Sequence, residues 1–422
     1  MKQFKVPGFL VSSNIYEVNT RQYTAEGTFK AFVEHLPRLK QMGVEILWFM
    51  PIHPIGTEKR KGSLGSYYSI KNFREVNSEF GNLEDFKLMV ETIHNSGMRI
   101  ILDWVANHAA WDNNWTLTNP DFFERDEELK FKSPYDWTDV IQINHSNVQE
   151  QDAMIDAMSY WITECNIDGF RADLAHLTPL SFWIKARTAL DKMKPELVWL
   201  AETEELSYHQ AFDISYTWKW MHASEEFVKS DFDVSKLLSL LSSASRDFGN
   251  ELRMYYTSNH DENSWNGSEY EKYGIYARAL AVFANTYIHS VPLIYSGQEL
   301  PCKKRLSFFD KDQIDWDEQP ALHSFYSILL QLRARNPVFN ANAVQSFIDN
   351  PWGVLAYKII NGDDCVFVVL NISRIGVNDV LNLPGIEGIF NSIFTNELRQ
   401  LEQRVLLTLA PGEFLVLEKI KP

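Results

Sequence analysis

Four apolar segments of the sequence each end in acidic residues or histidines. Short apolar runs are typical of buried β-strands, and the polar residue that ends such a run lies at the edge of the sheet. Carboxyl and imidazole groups gathered at one edge can transfer protons and attack electrophilic carbon. The four polar ends are residues 103–108 (DWVANH), residues 171–173 (RAD), Glu202 and residues 259–261 (NHD).

Two of these carboxyl groups have different sequence surroundings. Arg171 and Asp173 point to the same face of an extended strand, and a guanidinium favours the ionised form of a neighbouring carboxyl. Asp173 is therefore predicted to be the anion that attacks carbon. Glu202 ends an apolar strand and precedes Glu204 and Glu205. Burial and like charge are expected to raise the pKa of Glu202, which suits it to act as a general acid.

One anionic and one protonated carboxyl on neighbouring strands are the pair that retaining glycoside hydrolysis uses, with the two groups about 5 Å apart. Asp261 is expected to stabilise the positive charge of an oxocarbenium-like transition state, and His108 and His260 to donate hydrogen bonds to sugar hydroxyls. Asp103 is expected to hold Arg171 in place rather than to take part in the chemistry. The competing interpretation makes Asp173 and Glu202 purely structural ion-pair partners.

The elements that must position these groups follow from the order of apolar patterns. Strand-like segments alternate with helical patterns, which predicts an α/β protein with a parallel (β/α)8 TIM barrel. A helix over residues 83–95 is predicted from apolar residues at three- and four-residue spacing, with Gly97 as its stop signal. Active sites of such barrels lie at the carboxyl ends of the strands. The predicted strands are residues 13–19, 44–50, 98–103, 169–173, 197–202, 212–216, 254–259 and 292–295.

The spacing of the strands divides the chain. The stretch between the third and fourth strands is longer than one helix and its turns need, which predicts a small inserted subdomain over the barrel mouth. After a polar break near residues 336–342, short alternating runs with Gly, Asn and Pro predict an antiparallel β domain. The predicted ranges are 1–108 (first part of the barrel), 109–148 (inserted subdomain), 149–341 (second part of the barrel) and 342–422 (C-terminal β-sandwich).

The composition of the 422 residues is that of a globular protein, with 45% hydrophobic and 23% charged residues. A net charge of −16 without a dense basic patch argues against nucleic acid and anionic membrane surfaces as partners. The aromatic content of 14%, with 13 tryptophans, is high. Flat aromatic faces stack well on sugar rings, so the composition favours a carbohydrate partner.

The three cysteines are not spaced like a metal-ligand set or a redox pair. The first residues lack the apolar core of a signal peptide, and no run approaches the ~20 apolar residues of a membrane span. We therefore expect a cytoplasmic protein, with a trimmed secreted form as the alternative. The sequence predicts no oligomeric state.

Taken in order, the four polar segments resemble the four conserved regions of the alpha-amylase family, glycoside hydrolase family 13. Residues 103–108 match DxVxNH, residues 169–173 match GFRxD, Glu202 is the strand-end acid, and residues 259–261 match NHD. The resemblance extends over the barrel, the insertion and the C-terminal β domain. It implies that Asp173 is the nucleophile, Glu202 the general acid/base and Asp261 the transition-state stabiliser, supported by Arg171, His108 and His260.

Aromatic residues and one further histidine are candidates for substrate contacts. Tyr68, in the loop after the second strand, resembles the family's tyrosine that stacks under the cleaved sugar, and Tyr67 beside it is a rival. His176 is a candidate for a sugar subsite. The same holds for Trp111, Trp115 and Trp265, although tryptophans in loops also close small cores.

Two positions depart from the family's pattern. His176 and Leu177 stand where the family's amylases often carry Lys-His, so contacts to the leaving group are expected to differ. Gln142 stands where the resemblance places a calcium-binding Asp, which leaves only Asn107 of the expected ligand set. Calcium prefers several oxygen ligands, carboxylates above all. We therefore expect no cofactor and disfavour a structural Ca²⁺.

The predicted function is retaining hydrolysis of α-1,4-glucosidic bonds in starch-type glucans or maltooligosaccharides by double displacement. Alternatives within the family are a cyclomaltodextrinase, an α-glucosidase and an α-glucan transglycosylase. Leu174, which follows the predicted nucleophile, leaves the choice between α-1,4 and α-1,6 linkages open.

Two alternatives come from other classes. One is a catalytically inactive glucan-binding or scaffold protein, against which the presence of all three acids argues. The other is an unrelated metal-dependent hydrolase, which a chelator would inactivate. Its ligands would be Asp103, His108, His260 and Asp261.

Overall fold

The computed structural model describes residues 4–230 and 234–421. The expectation of a cytoplasmic protein rests in part on the N-terminal residues, and the first three of them, Met1 to Gln3, lie outside the described residues. The strands are β1 (Ile15–Val18), β2 (Ile46–Phe49), β3 (Arg99–Trp104), β4 (His108–Ala110), β5 (Val140–Gln142), β6 (Gly169–Ala172), β7 (Val198–Ala201), β8 (Ile214–Ser215), β9 (Leu252–Arg253), β10 (Leu293–Tyr295), β11 (Val344–Phe347), β12 (Leu355–Asn361), β13 (Asp364–Leu370), β14 (Val377–Ser392), β15 (Leu398–Leu409) and β16 (Phe414–Lys419).

Helices alternate with the parallel strands, as the apolar patterns predict. The helix predicted over residues 83–95 is confirmed, and Asn82 begins it with a side chain that accepts a hydrogen bond from the N–H of Asp85. The α-helices are α1 (Thr20–Tyr23), α2 (Phe29–Val33), α3 (Leu36–Met42), α4 (Leu83–Asn95), α5 (Trp115–Thr118), α6 (Val148–Cys165), α7 (Leu180–Leu190), α8 (Trp218–Lys229), α9 (Val234–Phe248), α10 (Glu269–Tyr273), α11 (Ala277–Thr286) and α12 (His323–Arg335).

Eight parallel strands form one curled sheet in the order β10-β1-β2-β3-β6-β7-β8-β9. Backbone hydrogen bonds also join the two ends of this order. The N–H of Val291 donates to the carbonyl of Arg253 at 2.9 Å, and the N–H of Leu293 donates to that of Tyr255 at 3.1 Å. The sheet therefore closes on itself, and the predicted TIM-type barrel is confirmed.

The seventh barrel strand begins earlier than the sequence predicts. The prediction was residues 254–259, whereas β9 comprises Leu252–Arg253. Backbone pairing continues only through Met254, whose N–H donates to Ser215 at 2.7 Å, and Tyr255. The apolar and aromatic run that suggests a longer strand leaves the sheet after Tyr255. Further along, Asn259 turns the chain by accepting a hydrogen bond from the N–H of Glu262 at 2.8 Å.

Two further sheets accompany the barrel. The segment after β3 carries the short antiparallel pair β4 and β5, and the C-terminal strands form a six-stranded sheet in the order β11-β12-β13-β16-β14-β15. This C-terminal sheet is antiparallel, as predicted. We keep the four predicted domain ranges as proposed limits. Among residues 4–230 and 234–421, no helix combines the length and the apolar character needed to cross a bilayer.

The C-terminal sheet shares a hydrophobic cluster with the barrel. Tyr357 and Val368 on one face belong to the same buried cluster as Phe283 and Tyr287 of the barrel side. The opposite face contributes to a separate cluster that includes Phe367. The sheet is therefore packed against the barrel through one face only.

Candidate functional site

A single buried arginine lies at the centre of the barrel mouth. Arg171, on β6, has no solvent-exposed surface. Its Nη1 lies 2.9 Å from Oδ1 of Asp103 and 2.8 Å from Oδ1 of Asp173, and its Nη2 lies 2.8 Å from Oε2 of Glu202. Its Nε donates to the hydroxyl of Tyr216 at 3.1 Å. One guanidinium thus brings together three carboxyl groups from three strand ends.

The register of the parallel strands brings the three carboxyl groups to Arg171. Asp103 of β3 is paired with Arg171, and Arg171 with Leu200 of β7, so the two strands that flank β6 present their ends at the same height. Gly169 at the start of β6 permits the close approach of β7. An added Cβ would lie 2.1 Å from the carbonyl oxygen of Val198, and φ at Gly169 is +151°.

Asp173 and Asp103 are both buried carboxyl groups beside Arg171. Burial raises the pKa of Asp173 to about 6, against the opposing attraction of Arg171 and with the repulsion of Asp103 added. Burial raises the pKa of Asp103 to about 6 in the same way. Arg171 therefore offsets only part of the cost of burial, and the shift differs from the sequence-based expectation that the arginine alone governs Asp173.

Glu202 has the pKa of a general acid. Burial, together with the charges of Asp173 and Asp261, raises the pKa of Glu202 to about 7 against the attraction of Arg171. From the sequence, Glu204 and Glu205 are the expected source of the like charge. In the structure, however, Glu204 lies 2.7 Å from Arg253 and so points to another partner.

The residue after Asp173 fixes the orientation of Glu202. Leu174 has a left-handed backbone, with φ +40°, which a non-glycine residue adopts only when its surroundings enforce it. In this conformation the N–H of Leu174 donates to Oε2 of Glu202 at 2.7 Å. The turn that follows Asp173 thus holds the second carboxyl beside the first.

A chain of hydrogen bonds supports the opposite side of the site. The hydroxyl of Tyr68 donates to Oδ2 of Asp103 at 3.0 Å and lies 2.7 Å from Nε2 of His260. Nδ1 of His260 lies 2.5 Å from Oε1 of Glu17, which is fully buried on β1. Burial lowers the pKa of His260, but Asp261 and Glu17 outweigh it and raise the pKa to about 9. His260 is therefore an imidazolium at neutral pH.

A cavity of about 480 Å³ opens above these groups. Three carboxyl groups predicted as catalytic, Asp173, Glu202 and Asp261, all line it. Asp261 is the most accessible of them, with 45% of its side chain exposed. The other lining residues are Lys61, Ser66, Tyr68, His108, Trp137, Asp139, Val140, Leu174, Trp265, Phe308 and Phe309.

The predicted substrate-binding residues lie in three places. Tyr68 and His108 line the cavity, and Tyr68 rather than its rival Tyr67 does so. Arg171 and His260 lie beneath the lining. His176 is not part of it: its Nδ1 lies 3.4 Å from the backbone carbonyl of Glu202, and its ring meets the edge of Trp218.

His108 is a neutral member of the lining. Burial lowers its pKa to about 4, although the charge of Asp139 opposes the shift. Its ring meets the edge of Trp137 at 5.5 Å between centroids. His108 can therefore donate one N–H to a sugar hydroxyl without adding a charge to the site.

Several residues of the site were not predicted from the sequence. Glu17 stands out only as one acid in the otherwise apolar segment Ile15–Val18, which is a usable signal for a buried partner. Phe308 is stacked on Tyr68 with ring centroids 6.2 Å apart, yet it lies far away in sequence. Lys61 and Asp139, an ion pair at 2.7 Å on the cavity wall, come from two different loops.

The position at which a calcium ligand is expected has the wrong donor chemistry. Nε2 of Gln142 donates to Oδ1 and to the backbone carbonyl of Asn107, both at 2.9 Å. The two oxygens that could ligate a cation are thus occupied by an N–H₂ group, whereas Ca²⁺ needs free oxygen ligands. Within residues 4–230 and 234–421, no group of three or more His, Cys, Asp or Glu side chains could hold a metal ion. The residues at this position therefore do not fit calcium, and the described part of the chain offers no ligand set for the metal-dependent alternative.

Comparison with known proteins identifies this architecture. The sequence model of the protein family described as the alpha-amylase catalytic domain matches residues 12–141. The solved structure of a noncanonic maltogenic alpha-amylase, AmyB from Thermotoga neapolitana, is 30% identical and covers 98% of this chain and 100% of its own, with a TM-score of 0.88. This chain belongs to the alpha-amylase family.

Further relatives agree with this assignment. An alpha-amylase from Lactobacillus plantarum is 25% identical, with a TM-score of 0.87 over 98% of this alpha-amylase-family chain and 100% of the solved one. The alpha-amylase MalA of Haloarcula japonica is 26% identical over 393 residues, 88% of this chain. The match comprises 57% of the length of MalA, so this chain spans little more than half of that relative.

The opposite charge states of the two site histidines can be measured. The ring of His260 is expected to titrate near pH 9 and that of His108 near pH 4, because Glu17 and Asp261 flank the first and burial dominates the second. Glu17→Gln removes one anion, so we expect it to lower the pKa of His260 and to leave His108 unchanged. Imidazole resonances followed by NMR over pH check this, and a pKa of His260 that Glu17→Gln does not lower would contradict it.

Proposed function

We propose that this alpha-amylase-family protein is a retaining glycoside hydrolase that cleaves α-1,4-glucosidic bonds in starch-type glucans or maltooligosaccharides. The observation that carries the proposal is the pairing of Asp173 with Glu202 through one guanidinium, with the higher pKa on Glu202. A nucleophile and an acid held side by side are what double displacement requires.

In the first step, Asp173 attacks the anomeric carbon while Glu202 gives its proton to the glycosidic oxygen. The bond between the anomeric carbon and this oxygen breaks, and the shortened glucan leaves with the proton. In the second step, Glu202 takes a proton from water, and the resulting hydroxide displaces Asp173 from the anomeric carbon. Asp261, exposed to the cavity, stabilises the positive charge that develops on the sugar in both steps.

The residues beneath the cavity position this chemistry. Arg171 keeps Asp173 and Glu202 side by side, and Asp103 together with Tyr68 fixes the far end of the same network. The ring of Tyr68 forms the floor for the sugar, and His108 donates to its hydroxyls, whereas His260 acts from beneath the lining by holding Tyr68 in place. The leaving group then faces Leu174, the lining residue whose N–H donates to Glu202.

The alternative enzymes of the family would form the same covalent intermediate, whereas an inactive scaffold would form none. A transglycosylase, cyclomaltodextrinase or α-glucosidase would use the same Asp173 and Glu202, and would differ in the acceptor or in the length of glucan. An inactive scaffold would need neither acid. The proposed partner is a glucan or oligosaccharide, without nucleic acid or membrane. The three free thiols, Cys165, Cys302 and Cys365, support a reducing, cytoplasmic location.

Substitution of the paired carboxyls tests the mechanism. Asp173→Asn removes the nucleophile and Glu202→Gln removes the transferable proton, so each is expected to lower kcat by about 10³-fold or more. The assay is release of reducing sugar from soluble starch, maltooligosaccharides, cyclodextrins and pullulan. Glu205→Gln, an exposed carboxyl three residues beyond Glu202, is the matched control and is expected to retain activity.

Activity of either substituted enzyme at the wild-type level would refute the mechanism. The configuration of the first product gives a second criterion, because double displacement preserves the α-anomer. Early NMR spectra of the anomeric proton should show the α-product, and an initial β-product would exclude a covalent intermediate at Asp173. Transfer to an added sugar without hydrolysis would favour the transglycosylase.

The pH dependence follows from the two raised pKa values. Asp173 must be ionised to attack and Glu202 protonated to donate, so kcat/KM is expected to fall below about pH 6 and above about pH 7. Asp103→Asn removes a like charge that raises the pKa of Asp173, and we expect it to move the acid limb to lower pH. The alkaline limb should move less. If the acid limb of the Asp103→Asn profile stays at the wild-type pH or moves to higher pH, Asp173 is not the group that must be ionised.

We also propose that the protein needs no structural calcium. A chelator is expected to leave its melting temperature and its activity unchanged, because the amide of Gln142 satisfies the oxygens of Asn107. Gln142→Asp should lower the melting temperature, with a loss of about 1–3 kcal/mol from the broken hydrogen bonds, and added Ca²⁺ should restore part of it. Gln142→Ala is the control that calcium should not rescue. Chelator-induced unfolding of the wild type would disprove the proposal.

A further inference from the structure

The loop after β2 forms part of the cavity wall and is bonded to the inserted subdomain, whose residues Trp137, Asp139 and Val140 also line the cavity. We define the β2 loop as residues 56–68. Nζ of Lys61 in this loop lies 2.7 Å from Oδ1 of Asp139, which belongs to the segment after β3. The N–H of Thr57 donates to the carboxylate of Asp112 at 3.1 Å, and Nζ of Lys59 lies over the ring of Trp111. The wall is therefore fastened to the subdomain at three points.

The other end of the β2 loop is fastened to the loop after β10. The N–H and the hydroxyl of Ser63 donate to Oδ1 of Asp310 at 2.7 and 2.6 Å, and the N–H of Leu64 donates to the carbonyl of Phe309 at 3.0 Å. Gly62 makes this contact possible. An added Cβ would lie 2.4 Å from Cβ of Phe309, and φ at Gly62 is +64°.

The wall continues to the loop after β9. The ring of Trp265 lies against Phe308, with centroids 5.2 Å apart. The N–H of Leu306 donates to Oδ1 of Asn263 at 2.8 Å. The loops that follow β9, β10, β2 and β3 are thus joined into one continuous rim, and Lys61, Asp139, Phe309 and Trp265 of this rim all line the cavity.

On the side of the cavity next to Glu202, the described loops are not linked by hydrogen bonds or ion pairs of this kind. Across residues 4–230 and 234–421, no hydrogen bond or ion pair links segments 174–178 or 203–206 to residues 109–143 or 257–266. Glu202 ends β7 on this unfastened side. Among the described residues, the rim is therefore cross-linked along one arc of the barrel mouth and not along the arc of β6 and β7, which we take as the open side of the cavity.

The position of the acid sets the direction of the substrate. A general acid protonates the oxygen of the leaving group, so the leaving part of the glucan must extend on the side of Glu202, which is the open side. The sugar bonded to Asp173 must then point its non-reducing side toward the wall. A chain that continued beyond that side would have to pass through the fastened β2 loop.

From this geometry we infer that the site is a blind pocket for the non-reducing end of a glucan, so that the enzyme acts from the chain end and not within the chain. The inference rests on the proposed function. Lys61 and Asp139 are two charged groups on the closed side, with 39% and 8% of their side chains exposed. Their ammonium and carboxylate groups can bond to the terminal hydroxyls that only a chain end presents.

A pair of substrates tests the closed end directly. Both are maltoheptaose labelled at the reducing end, and one carries an ethylidene acetal across the two terminal hydroxyls of its non-reducing glucose. The wild-type enzyme is expected to shorten the free chain from its non-reducing end and to cleave the blocked chain at least about tenfold more slowly. Chromatography of the labelled products gives both the rate and the position of each cut.

Variants that open the wall should reduce this selectivity. Asp310→Ala removes both hydrogen bonds of Ser63, and Gly62→Ala forces the β2 loop away from Phe309, so each is expected to narrow the rate ratio of free to blocked chain. Lys132→Ala, which breaks the exposed ion pair with Glu124 in the inserted subdomain, is the matched control and should keep the wild-type ratio.

The outcomes separate the inference from the proposed function. Equal cleavage of both chains by the wild-type enzyme would overturn the blind pocket and leave the hydrolase intact. Cleavage of neither chain would overturn the proposed function, and the inference with it. The wild-type rates on the free and the blocked chain are sufficient to test the blind pocket. The test therefore does not depend on whether the variants fold.

Discussion

The burial of one positive charge among three carboxyl groups is the constraint from which the rest of the site follows. Arg171 has no exposed surface, and Asp103, Asp173 and Glu202 all lie against it. One guanidinium cannot balance three buried anions, so removal from water favours keeping protons on some of the carboxyls. Burial is the largest cause of the raised pKa in each of the three. The proposed separation of roles between nucleophile and acid thus follows from an unbalanced number of buried charges.

The barrel contributes the precision that such a cluster needs. Parallel strands in register place Asp103 beside Arg171, and the left-handed turn at Leu174 brings a backbone N–H to Glu202. On the other side, Glu17 provides His260 with a buried counter-ion. Rigid strand ends and short turns hold these groups, so little reorganisation is required when charge develops on the sugar.

The sequence predicts those features that depend on local order. Strand ends with acids, the helix Leu83–Asn95 and the antiparallel C-terminal strands all follow from periodicity and from polar residues that end apolar runs. Contacts between residues that are far apart in the sequence cannot be predicted from these local patterns. Glu204 stands next to Glu202 in sequence, but its partner is Arg253, and the stacking of Phe308 on Tyr68 joins loops from opposite parts of the chain. The misplaced seventh strand has the same origin, since tertiary pairing alone decides where an apolar run leaves a sheet.

The shared cluster between the barrel and the C-terminal sheet has a consequence for how the molecule unfolds. Tyr357 lies in one buried cluster with Phe283, and its hydroxyl lies 2.5 Å from that of Thr286 at the end of α11. Detaching the sheet would expose an aromatic surface that the barrel helices do not cover by themselves. We therefore expect the barrel and the sheet to unfold as one cooperative unit, because the sheet covers an apolar surface of the barrel.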